Sequence, residues 1–178
     1  MAISATAAAH LGPALPSLGL LDCQAVDATC VAIAHGQRLM RAGLRTLLER
    51  ETDIVVVEAA TGEDAVDLSR RVRPDVVLVD VEIPGLDCVE TTRRIVAGSV
   101  ARVMVLTTSA ADPRVFATLV AGAAGLVLED REPAVLVRAV RRLGPGWRPR
   151  RRPRARRSAG TPMPAHRVID ITHRRGEN

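Results

Sequence analysis

Between Cys30 and Leu143 the chain alternates short, wholly apolar runs with longer stretches in which apolar residues recur every three or four positions. The runs are VAIA at 31–34, IVVV at 54–57, VVLV at 76–79, VMVL at 103–106 and LVL at 126–128. A strand with one wet face alternates apolar and polar side chains. A run that is apolar throughout predicts a strand covered on both faces, as in a parallel sheet between helical layers. The stretches between the runs read as helices. In the first, Met40, Leu44, Leu47 and Leu48 fall on one stripe, and in the last Leu136, Ala139, Val140 and Leu143 do the same, with arginines opposite. Thr61 and Asp64 have the spacing of a capping box opening the second helix. Pro113 and Pro133 stand where a first helical turn tolerates proline, at the starts of the fourth and fifth. The third helix, near 88–97, has the weakest periodicity.

Five strand-and-helix repeats with short connections imply right-handed crossovers and a doubly wound α/β fold with a five-stranded parallel sheet. In such sheets ligands and chemistry collect beyond the carboxyl ends of the strands. Asp80 follows VVLV directly, and Pro84 and Gly85 turn the chain soon after it. Its carboxylate is therefore expected at that edge, where it can meet solvent and a reaction partner.

Composition adds to this in three ways. First, 47% of the 178 residues are hydrophobic, enough for one domain with a real core, yet Phe116 and Trp147 are the only aromatic residues. The core must be packed from Val, Leu, Ile and Ala. Second, all 25 basic residues are arginine, and the net charge of +5 is unevenly spread. Residues 1–143 hold 15 Arg against 18 acids, whereas residues 144–178 hold 10 Arg against 2 acids. Third, Cys23, Cys30 and Cys88 match neither a zinc site nor a disulfide framework, so reduced thiols are expected. The leader has no basic n-region of a secretory signal, and no apolar stretch approaches membrane-spanning length. The organisation expected is a flexible N-terminal extension over 1–29, a domain over 30–143 and a disordered Arg/Pro-rich tail over 144–178. In that tail Arg148, Arg150, Arg151, Arg152, Arg154, Arg156 and Arg157 could form an arm for DNA or another polyanion, with salt-sensitive affinity.

The segments MRAGLRTLLE (40–49), RPDVVLVDVEIPGLD (73–87), VMVLTT (103–108) and AGAAGLVLEDREPAVLVRAVRRL (121–143) resemble the receiver domain of bacterial response regulators, in particular the NarL/FixJ subfamily. The resemblance implies a flavodoxin-like (βα)5 fold with strand order 2-1-3-4-5, and a cytoplasmic signalling protein that is not an enzyme. It also implies that a partner histidine kinase would phosphorylate an aspartate after the third strand, the position of Asp80. Thr107 matches the family's hydroxyl after the fourth strand.

Other parts of the family's pocket are replaced. His35 and Gly36 stand where an acidic pair should hold Mg²⁺, and Glu129 stands where a lysine should meet the phosphoryl oxygens. Leu126 occupies the aromatic switch position, and Cys88 replaces the usual glycine. With Asp80 and Glu82 as the remaining oxygens, the Mg²⁺ site is expected to be lost or weak, and no metal or other cofactor is expected. Phosphoryl transfer depends on positioning and on neutralising spread negative charge, so these exchanges predict a degenerate receiver. His35, Asp80, Glu82 and Glu129 should lie at one sheet edge, where an imidazolium could form a constitutive ion pair with Asp80 or Glu129.

Two functions follow. The first is a phosphorylation-impaired receiver of two-component phosphorelay signalling, acting in transcriptional regulation through contacts with a sensor kinase, another signalling protein or a second copy of itself. The second is a nucleic-acid-binding regulator whose basic arm supplies affinity while the domain dimerises. The family's helix-turn-helix output domain is not expected in the 35 residues after Leu143. An FMN-binding reading is disfavoured, because HGQRL after the first strand lacks a Ser/Thr-rich phosphate cradle.

Overall fold

The computed structural model describes residues 28–144 and the backbone of Ile169–Asp170. Its elements are β1 (Thr29–Ala34), α1 (Arg38–Leu48), β2 (Ile54–Ala59), α2 (Gly62–Val72), β3 (Val76–Asp80), α3 (Cys88–Gly98), β4 (Arg102–Thr107), α4 (Pro113–Val120), β5 (Gly125–Leu128), α5 (Pro133–Leu143) and β6 (Ile169–Asp170). The strands are all parallel, in the order β2-β1-β3-β4-β5-β6. The first five follow the order 2-1-3-4-5 expected from the family resemblance. The sixth is an addition: Ile169 and Asp170, from the segment read as a structureless tail, pair with Gly125 and Leu126.

The apolar runs of β1, β3 and β4 are buried because each of these strands feeds two cores, whereas on the edge strand β2 Val55 is 40% exposed. Val31 and Ile33 of β1, Val76 and Leu78 of β3, and Met104 and Leu106 of β4 point to one face. There they meet Leu48 of α1 and Leu136, Val137, Ala139, Val140 and Leu143 of α5. The alternate residues, among them Ala32, Ala34, Val77, Val79, Val103 and Val105, meet Ala65, Val66, Ile95, Val115 and Leu119 of α2, α3 and α4. Period-two side-chain geometry thus turns uninterrupted apolar sequence into a three-layer sandwich.

Local signals set the helix starts. Thr61 and Asp64 form both halves of the capping box, while Asp87 accepts hydrogen bonds from Val89 N and Glu90 N at the start of α3. Pro113 and Pro133 open α4 and α5. Cys88 is a free, buried thiol, but Cys30 is disulfide-bonded rather than reduced. Among the described residues no helix is long and apolar enough to cross a membrane.

Candidate functional site

Parallel pairing brings the exits of β1, β3, β4 and β5 to the same edge of the sheet. The chain there presents His35 after β1, Asp80 as the last residue of β3, Thr107 as the last of β4 and Glu129 just after β5. Backbone bonds hold each exit in place: Glu129 N donates to Thr107 O at 2.9 Å, and Val81 N to Leu106 O at 3.0 Å. His35 N donates to Ala59 O at 3.3 Å. Arg41 of α1 braces the β1 exit, donating from Nη1 to His35 O at 2.7 Å and Gly36 O at 3.0 Å.

Three side chains converge. His35 Nδ1 lies 3.4 Å from Asp80 Oδ2, and His35 Nε2 lies 3.9 Å from Glu129 Oε1. His35 is 3% exposed and Asp80 7%, so the contacts are shielded from bulk water. Asp80 Oδ1 accepts from Glu82 N at 3.0 Å. Gln37 N donates to His35 Nδ1 at 3.1 Å, which assigns a lone pair, not a proton, to the nitrogen facing Asp80. An ion pair through Nδ1 would require a proton there, so it competes with the Gln37 bond.

Glu82 does not join the three. Its side chain is 73% exposed and its Oε1 accepts from Arg114 Nη2 at 3.3 Å. Arg114 also donates to both carboxylate oxygens of Asp112 and to Val81 O. It therefore ties the start of α4 to the loop after Asp80. Sequence reasoning missed this residue, since nothing in the spacing of 82 and 114 announces that they meet. The Thr107 hydroxyl is buried and engaged locally, donating to Ser109 O and accepting from Ser109 N, both at 3.1 Å. Leu126 is packed into the core beside α4. Gly36 has little space for a side chain: a Cβ there would lie 2.7 Å from Pro84 Cδ. The seven arginines from Arg148 to Arg157 lie outside the described residues.

Burial pushes the Glu129 carboxyl above its usual range, the Asp80 charge adds to this, and His35 opposes it. A carboxyl whose pKa rises on folding destabilises the fold when ionised. The cost is absent below the unfolded pKa, at about 4.3, and complete above the folded value. Glu129→Gln is therefore expected to raise the urea midpoint at pH 7, with chelator present, and the gain should fade as the pH drops through the folded value towards about 4.

The receiver-domain family model, described as "Response regulator receiver domain", matches residues 31–141. Among similar curated proteins, the nitrate/nitrite response regulator NarP of Escherichia coli K12 is 42% identical over 115 residues, covering 62% of this chain and 53% of its own. The response regulator UvrY of the same strain is 37% identical over 120 residues, covering 66% and 55%. The chain thus spans about half the length of these relatives. The receiver domain of the putative response regulator NarL of Mycobacterium tuberculosis superposes with a TM-score of 0.61 at 28% identity, covering 65% of this chain and 94% of that domain. With its strand order, its aspartate at the end of β3 and a family match across the whole sandwich, the chain belongs to the response regulator receiver domain family.

Proposed function

We propose that this receiver is phosphorylation-impaired and works in two-component signalling as a pseudo-receiver, through protein contacts that regulate transcription in the cytoplasm. The observation that carries the reading is the ring around Asp80: an imidazole nitrogen at 3.4 Å that accepts from Gln37 N and, beyond it, the Glu129 carboxylate. A phosphoryl group arriving on Asp80 would meet an anion where the family's resemblance calls for a cation. Charge-assisted hydrogen bonds are worth roughly 1.5–3 kcal/mol, and a like charge adds repulsion to that loss.

The magnesium implied by the family does not fit the residues present. Magnesium requires near-octahedral oxygen coordination, and neither His35 nor Gly36 offers a side-chain oxygen. Gly36 cannot be exchanged for an acid without displacing Pro84.

Support for protein contacts comes from the surface. Phe116 and Val120 of α4 are 68% and 59% exposed, and Leu39 of α1 is 84% exposed, apolar area suited to a kinase, another signalling protein or a second copy. The arginine concentration in 148–157 favours a second reading, in which the tail binds DNA. That reading expects a salt-sensitive mobility shift of DNA that disappears when 144–178 is deleted.

The principal test is incubation with acetyl phosphate and Mg²⁺ followed by intact-mass measurement. The expected spectrum lacks a phosphoryl adduct under conditions that label an intact receiver. A stoichiometric adduct that Asp80→Asn removes would refute the proposal.

A further inference from the structure

His35, Asp80 and Glu129 each direct one donor atom into a space where all three atoms lie within 4.8 Å of one another. The donors come from the ends of three different strands, so the sheet itself fixes their convergence. Two features set the cluster apart from a patch of surface acids. The imidazole is buried and contributes nitrogen. The Asp80 side chain is about nine-tenths buried, and its Oδ2 lies 3.4 Å from His35 Nδ1, while Oδ1 accepts from Glu82 N. Gln37 N donates to His35 Nδ1, so the lone pair there is engaged and no hydrogen bond ties the imidazole to the Asp80 carboxylate. Glu129 adds a second carboxylate, with no hydrogen bond to its side chain among the described residues. Three side chains able to donate an electron pair thus converge on one space.

We propose that His35, Asp80 and Glu129 form a binding site for a divalent transition cation of zinc's class. The donor set decides the class. One imidazole nitrogen and two carboxylates match the ligands zinc takes, at about 2.0–2.2 Å from each. Ligand atoms around a tetrahedral ion stand roughly 3.4 Å apart on those bond lengths. The His35–Asp80 separation already has this value, and the Glu129 oxygen, within 4.8 Å of the other two donors, has to close towards them. Imidazole favours zinc, copper, iron and nickel over hard magnesium. The site also differs in composition from the family's magnesium site, drawing nitrogen from the β1 exit and an acid from the β5 exit. Three protein ligands leave a fourth position for water or a partner's side chain. Binding through either imidazole nitrogen releases the Gln37 N–H, because the ring must place its proton on the other nitrogen or yield the Nδ1 lone pair.

This inference deepens the pseudo-receiver reading, resting on it for a pocket not given over to phosphoryl transfer, and supplies that pocket with a chemical input. Its test is separate from the mass measurement above. Full-length protein stripped with chelator is titrated with ZnCl₂ against a chromophoric chelator, and the titration is repeated with MgCl₂. The expected result is one saturable zinc site that millimolar Mg²⁺ leaves unaffected, accompanied by a shift of the Gln37 amide resonance. Glu129→Gln and His35→Gln should each weaken it by more than the roughly 10–100-fold that follows loss of an outer-shell partner. Glu129→Gln is the discriminating variant, since it keeps the size of the side chain while replacing the carboxylate ligand with an amide, so zinc affinity should fall without loss of the fold. Absence of saturable binding overturns the proposal. So does zinc affinity equal in the parent and both variants, which would place the ion on other cysteines and histidines of the chain. A phosphoryl adduct at Asp80 with zinc binding intact would sink the pseudo-receiver reading alone.

Discussion

Gly62→Ala is expected to destabilise the protein by roughly 3 kcal/mol, whereas Gly43→Ala stabilises it by about 0.5–1 kcal/mol, although both exchanges raise helix propensity. Gly43 lies inside α1, where a Cβ would meet nothing within 4 Å. Only the lower backbone entropy of alanine is then felt. Gly62 is the first residue of α2, and its N–H donates to Pro84 O at 3.0 Å. A Cβ there would sit 2.2 Å from Leu86 O and 2.4 Å from Thr91 Oγ1. One of those partners is backbone, so relief requires moving α2 away from the loop that runs from Asp80 to α3. The loop holds its shape through this contact, and Thr91 Oγ1 itself donates to Leu86 O at 2.9 Å. Paired urea denaturation curves decide the matter. Equal midpoints for the two variants, or a stabilised Gly62→Ala, would show that the close approach does not constrain the loop.

The same contrast explains what could be read from the sequence. Apolar runs identified β1 to β5: in β1, β3 and β4 burial on both faces removes any need for alternation, while the edge strand β2 keeps an apolar run although Val55 is 40% exposed. The capping box was legible because it is a contact between residues three apart. The third helix was faint for a specific reason: its buried face is Cys88, Thr91, Thr92 and Ile95, and two threonines in a core stripe do not register as apolar. The two-residue β6 left no signal, since its pairing is a backbone matter. At the site, His35, Asp80 and Glu129 were legible as strand-end positions, and sheet topology alone brings such positions together. The departure of Glu82 towards Arg114 was not, because it depends on the direction of the loop after β3 and on where α4 begins. The crowding of Gly36 by Pro84 and of Gly62 by Leu86 likewise belongs to tertiary approach, which periodicity does not encode.

Combining His35→Asp with Glu129→Lys is expected to raise the rate at which acetyl phosphate and Mg²⁺ label Asp80 by at least roughly a hundredfold over the parent chain. The first exchange places an oxygen where the imidazole now stands, and the second turns the anion facing Asp80 into a cation. Removing a single preorganised group that meets developing charge typically costs about 10²–10³ in rate. Reinstating two should recover a comparable factor, at about 1.4 kcal/mol per decade. Each single variant should gain less, because a cation at 129 without a metal ligand at 35, or the reverse, neutralises only part of the charge on the transferred group. The effect on stability provides an independent check. A second carboxylate next to Asp80, whose side chain is 9% exposed, repels it in the absence of metal. The His35→Asp single variant should therefore melt below the parent in chelator and regain stability with Mg²⁺, as a ligand that binds only the folded state requires. The zinc affinity of the double variant should fall at the same time, since the imidazole nitrogen and the Glu129 carboxylate are both lost. If the double variant binds Mg²⁺ but remains unlabelled, the charges at 35 and 129 are not what impairs Asp80. The cause would then lie in the crowding of Gly36 by Pro84 or in the Arg114 tie across the neighbouring loop.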